Sequence, residues 1–190
     1  MRTPACRALS ALVLSLGPAA AHASVAAEMD LAELCRSADA VIHGIVVSAE
    51  SAWEDGVIAT RSTVRVARSL KGAAGDQVVV RTLGGVVGGI GQIASGEAAL
   101  RPGEEVLLFL EAAGPAYRAV GMAQGAFHVR RDPATGQKAA WQELGGLAVA
   151  RPGPRGLEAA PAARGAPVAL DELLRRIERL VAAPAPGGSR

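Results

Sequence analysis

The sequence predicts a mainly β domain, an antiparallel sheet of about five to seven strands closing into a barrel or sandwich. A short helix precedes it and an amphipathic helix follows. Three observations carry this reading. Residues 40–83 hold three consecutive strand patterns, AVIHGIVVSAESAW, VIATRSTVRVARSLKG and QVVVRTL, separated by Asp55-Gly56 and by Gly75-Asp76. Further apolar runs at 105–111, 116–122 and 126–131 recur between turn residues, the spacing of a closed or stacked sheet. Helical periodicity is confined to the stretches near 30–38 and 168–182.

Residues 1–23 are expected to be a secretory signal peptide: Arg2 and Arg7 precede an apolar run from Ala8 to Ala20, and Ala21-His22-Ala23 supplies small residues for cleavage. Ser24 is then the mature start. The run is too short to span a bilayer and is interrupted by Gly17-Pro18, so the exported product, periplasmic or extracellular, carries no membrane span. Cys6 precedes the apolar run, which argues against a lipoprotein. Losing Arg2 and Arg7 from 20 basic residues leaves 18 against 18 acidic ones, so no nucleic-acid-binding surface is implied. Hydrophobic residues make up 50% of the chain but aromatics only 3%, and the core must be built from Val, Leu, Ile and Ala. Cys35 alone survives cleavage, forbids an intramolecular disulfide, and is expected to be buried.

The barrel domain is expected over residues 24–142. In DLAELCRSA, Asp30 with Glu33 three residues on has the capping-box arrangement, and Leu31, Leu34, Cys35 and Ala38 form the apolar face. In the first strand, strict alternation puts Val41, Ile45, Val47, Ala49 and Trp53 on one face and Ile42, Val46, Ser48 and Glu50 on the other. In the second, Val64 and Val66 oppose Arg61, Thr63 and Arg65, as on a sheet with a core on one side and water on the other. Asp55-Gly56 is a hairpin signal.

Residues 83–103 form a glycine-rich stretch, read as a long connection or a bulged strand. Gly84, Gly85, Gly88, Gly89, Gly91 and Gln92 are the candidate partner-binding residues, because long loops in compact domains are uncommon and often functional. Gly89-x-Gly91-x-x-Ala94 echoes a dinucleotide fingerprint, but no strand ends just before it and Gly96, Pro102 and Gly103 stand where its helix should run. No cofactor is expected. Beyond it, Glu105 to Glu111 is a nearly uniform apolar strand, and KAAWQ at 138–142 is read as a final edge strand. Residues 143–167 lack periodicity and read as a flexible linker. The helix is expected over 168–183, with Leu170, Leu173, Leu174, Ile177 and Val181 on one face, docked on the barrel or paired with another protein. Residues 184–190 are expected to be a disordered tail.

The chemical inventory is thin. His43 shares the apolar face of its strand with Val41 and Ile45, a core position, and His128 falls on the solvent side by alternation. With Asp39 they lack the close spacing of a zinc site, and no nucleophile motif occurs. No catalytic or metal-binding residue is assigned.

ADAVIHGIVVS, TVRVARSLKG, QVVVRTL and RPGEEVLLFLE, in that order after a helix, resemble the netrin-like and tissue-inhibitor-of-metalloproteinase class of OB-fold barrels over roughly residues 31–111. The glycine-rich insertion and the stretch to Gln142 look like those of uncharacterised exported bacterial proteins sharing this core. The resemblance implies an OB-like barrel acting as a binding module for a protein or cell-envelope component, with protease inhibition as an alternative. The inhibitors cap zinc with an N-terminal cysteine; here the expected mature end is Ser24, Cys35 lies in a helix and the disulfide cysteines are missing, so that mechanism is assigned to no residue. A hydrolase built around His43 or His128 is the remaining alternative.

Overall fold

The computed structural model describes residues 25–133, 135–153, 156–159 and 166–183. The expected signal peptide and C-terminal tail lie outside them. In chain order the elements are β1 (Val25–Ala27), α1 (Leu31–Ser37), β2 (Ala40–Glu54), β3 (Val57–Lys71), β4 (Gln77–Leu83), β5 (Gly85–Val87), β6 (Ile90–Gln92), β7 (Glu105–Ala113), β8 (Ala116–Ala119), β9 (Ala126–Arg131), β10 (Lys138–Gln142), β11 (Ala148–Gly153), β12 (Gly156–Ala159), β13 (Val168–Ala169) and α2 (Leu170–Ala182). The fold is mainly β, with eight strands rather than five to seven in its main sheet. Their order is β13-β10-β9-β7-β2-β3-β4-β8, and β8 also pairs back onto β7.

That second pairing makes β7 a branch point. One edge of β7 lies along β2; the other is shared, its first half by β9 and its second half by β8. The strands β7, β2, β3, β4 and β8 thereby curl into a partly closed ring. Its weakest seam is between β4 and β8, where the parallel contact is the single pair Val80 and Tyr117.

Burial follows from this branch. Ile42, Val46, Val64, Val78, Val80, Val106, Leu108 and Leu110 fill the inside of the ring, joined by Ala98 and Leu100 from the connection before β7. On the opposite face Val41, Leu107, Phe109, Phe127 and Val129 pack against Leu34 and Cys35 of α1 and Leu173, Leu174 and Ile177 of α2. Val106 to Leu110 is thus buried on both faces, which explains its uniform apolar run. Leucine-rich α2 docks here, and Arg68 of β3 pairs with Glu178 along its flank.

The capping box of α1 forms as the sequence requires: Glu33 N donates to Asp30 Oδ1 at 2.7 Å and Asp30 N to Glu33 Oε2 at 2.9 Å. Its other end is held by Lys71, whose Nζ donates to the carbonyls of Cys35 at 2.8 Å and Ala38 at 2.5 Å. A cation there satisfies orphan carbonyls and opposes the helix dipole. Asp55-Gly56 makes the β2–β3 hairpin turn, with φ of 48° and 82°.

Three expectations are corrected. Strict alternation along β2 fails because the register slips between Val46, opposite Val64, and Ser48, opposite Thr63. The extra residue, Val47, is left exposed, and Ala49, Ser51 and Trp53 pass to the ring-interior side with Val46. Trp53 and Val41 therefore lie on opposite faces. Second, β10 is not the edge, since β13 adds outside it. Third, the stretch expected as a flexible linker over 143–167 holds structure in its described residues: β11 pairs with β1 and β12, and Leu147, Val149 and Ala150 are buried. The strand is short and contains Pro152, so it shows no period of its own.

Because Ile177 is fully buried between helix and sheet, Ile177→Ala is expected to cost about 2–5 kcal/mol. A urea midpoint unchanged by this substitution would show that α2 is not part of the core.

Candidate functional site

The six glycine-rich positions singled out from the sequence do come together, as a hairpin. Val87 and Ile90 pair across a two-residue turn in which Gly88 and Gly89 have φ of 58° and 82°. Only residues without a side-chain penalty at positive φ make such a turn cheaply. The expected long connection is thus β5 and β6, and the signal was present: a Gly-Gly pair flanked by Val86-Val87 and Ile90.

The hairpin is pinned across the ring at the end that holds the β2–β3 turn. Gly84 N donates to Ile58 O at 2.7 Å, continuing the β3 ladder by one bond. Gln92 Oε1 accepts from Ile58 N at 2.7 Å. Thr60 Oγ1 donates to Gly84 O at 2.6 Å and meets Ser51 Oγ at 2.9 Å. A Cβ on Gly85 would stand 2.3 Å from Ser51 Oγ and 2.5 Å from Thr60 Oγ1, so only glycine lets the hairpin backbone settle on that hydroxyl pair.

What the hairpin displays is apolar. Eight large hydrophobic side chains are exposed among the described residues, and five of them, Trp53, Leu83, Val86, Ile90 and Ile93, belong to this end. Ile93 is 94% exposed. Exposed apolar side chains scattered singly need no explanation, whereas five of these eight gather at one end of the ring. On the outer face of the same strands Glu54 is held by Arg61 at 2.8 Å and Arg81 at 2.7 Å, and these hydrogen bonds, Arg81's first, keep its carboxyl below the usual range.

Beneath the hairpin lies a cleft of about 320 Å³, lined by Thr60, Thr82, Gln92, Ile93, Glu97 and Arg101 among others. Glu97 is its functional surprise, missed by sequence reasoning because nothing in SGEAA foretells its burial. Burial pushes its carboxyl above the ordinary range, against a backbone hydrogen bond from Leu83 and the fields of Arg118 and Arg81.

A second cleft, of about 400 Å³, is lined by Glu104, Glu105, His128, Arg130, Arg131 and Lys138. Here His43 Nε2 meets Glu105 Oε1 at 2.8 Å, and Lys138 Nζ meets the same carboxylate at 2.8 Å. Burial opposes ionisation of Glu105, but the bonds from Lys138 and His43 prevail and its carboxyl is lowered. The solvent-side placement of His128 is corrected: it is 2% exposed, because β9 lies between β7 and β10 with cover on both faces. Its Nδ1 is 3.3 Å from Glu104 Oε2, a contact by distance without hydrogen-bond alignment. His43 stands opposite Leu107 and His128 opposite Val106, so the two imidazoles project from opposite faces of the sheet. They cannot share a reacting centre, and no hydroxyl or thiol lines this cleft. Cys35 is buried, and desolvation raises its thiol above the usual range despite Lys71 and Arg36. Among the described residues no group of three or more His, Cys, Asp or Glu is placed to hold a metal ion, and no helix is long and apolar enough to cross a membrane.

A carboxyl whose folded pKa lies above its unfolded value, about 4.3, stabilises the fold only while protonated, so ionised Glu97 costs stability at neutral pH. Glu97→Gln is expected to raise Tm at pH 7.5, with the gain fading as pH falls toward about 4. A lower Tm for the variant at pH 7.5 contradicts this. No protein-family description and no curated protein matches this chain, so the reading of its surfaces rests on their own geometry.

Proposed function

We propose that this chain is an exported, non-enzymatic binding module of OB-barrel type that grips a protein partner with the hairpin-capped end of its ring. One observation carries the reading: among the described residues, five of the eight exposed large apolar side chains gather at the end of the ring capped by a hairpin that is fastened to it rather than hanging free. Fastening matters because a surface ordered before contact loses less conformational entropy on binding. Five strands in a partly closed ring agree with the OB class, whose loops and sheet face serve recognition on many unrelated partners. The β2–β3 turn, next to half-exposed Trp53, belongs to the same end. Export rests on the residue pattern at 1–23. The opposed histidines and the buried, unactivated Cys35 weigh against a hydrolase and against thiol-based protease inhibition.

The test is capture from envelope and secreted fractions. The protein should retain a partner that a Val86→Ser, Ile90→Ser, Ile93→Ser variant loses, while His43→Ala retains it. Equal recovery by the triple variant would remove this surface from the account.

A further inference from the structure

We infer that the cleft beneath the hairpin receives a lysine or arginine side chain of the partner, with the Glu97 carboxylate as its counter-charge. This rests on the binding-module reading and names the chemistry its partner must bring.

The charge pattern around the cleft carries the inference. Glu97 is its one carboxylate and Arg101 its one cation, and Arg101 Nη1 is committed to Glu104 at 3.2 Å. The cations beyond the wall are committed too, Arg81 to Glu54 at 2.7 Å and Arg118 to Glu111 at 2.9 Å. Glu97 has no ion-pair partner among the described residues. A half-buried, unmatched carboxylate is a costly group to keep, and it earns that cost where a ligand supplies the missing charge.

The surroundings choose between kinds of cation. Ile93 and Leu83 line the cleft and are exposed, so they offer apolar surface to the methylene stem of a long basic side chain while its head reaches Glu97. Val86, Ile90 and Trp53 extend the apolar surface of the same end, where neighbours of that side chain would lie. A small polyamine would leave those residues uncovered, whereas an extended protein segment with apolar residues flanking one basic residue uses both features. The cleft, about 320 Å³, has room for one long side chain rather than for a folded element.

The probes are two peptides, acetyl-Val-Leu-Lys-Val-Leu-amide and its norleucine counterpart, titrated into the isotope-labelled protein and followed by backbone amide resonances. The lysine peptide should move Leu83, Gly84, Gln92 and Glu97 and bind about tenfold or more tightly than the norleucine peptide, the scale of a charge-assisted bond in a partly buried site. Glu97→Gln should abolish that preference, and Glu50→Gln, on the exposed surface, should leave it intact. Equal binding of the two peptides, or a preference surviving in Glu97→Gln, overturns the basic-group assignment while leaving the apolar docking surface standing. If neither peptide moves these resonances, both readings fall. If spermidine moves them and the peptides do not, the occupant is a small polyamine and the protein-segment assignment is wrong.

Discussion

Strand β7 bears on every other part of the fold because its outer edge is divided between two partners. Up to Leu108 that edge pairs with β9, and from Leu110 onward it pairs with β8. The first pairing extends the sheet toward β10 and gives the helices a floor; the second bends it into a ring. Both demand that Val106 to Leu110 be apolar on each face, since one face meets the ring interior and the other the helix layer. A polar residue in this run would lie unsatisfied whichever way it pointed.

The candidate site is a consequence of the same ring, read at its far end. The slip at Val47 puts Ser51 on the interior side, and with Thr60, Thr82 and Ser62 it makes that end of the interior more polar than the valine-filled remainder. A polar mouth needs a lid that satisfies it. The hairpin supplies backbone and amide acceptors for Thr60 and Ile58, and it can approach closely enough only because Gly84 and Gly85 carry no side chains. The glycines are there for contact as much as for flexibility. Glu97, at the edge of the lid, keeps a backbone hydrogen bond from Leu83 but has no opposite charge paired with it among the described residues.

Much of the fold was legible because local patterns were strong. The capping box at Asp30, the Asp55-Gly56 turn and the leucine stripe of α2 each depend on residues close in sequence. The misreadings have a common physical cause, which is pairing between distant segments. Bulging of β2 at Val47 depends on its register with β3, the burial of His128 on strands either side of β9, and the existence of β11 on its pairing with β1. The glycine stretch was recognised as a candidate surface, yet its hairpin form and its apolar display were not. Glu97 was invisible for a deeper reason: a carboxylate in a glycine- and alanine-rich segment looks solvated until the segment is folded over a cleft.

The central claim is that the hairpin is a fastened part of the ring and not a free loop. Amide hydrogen exchange at Ile58 and Gly84 addresses it most directly, because Ile58 N is bonded to the Gln92 side chain and Gly84 N to the Ile58 carbonyl. Fastening predicts protection of both amides comparable to that of Val64 and Val80 in the ring wall. Exchange at both at the rate of an unstructured loop would mean that the hairpin is not seated, and the preorganised surface built on it would go with it.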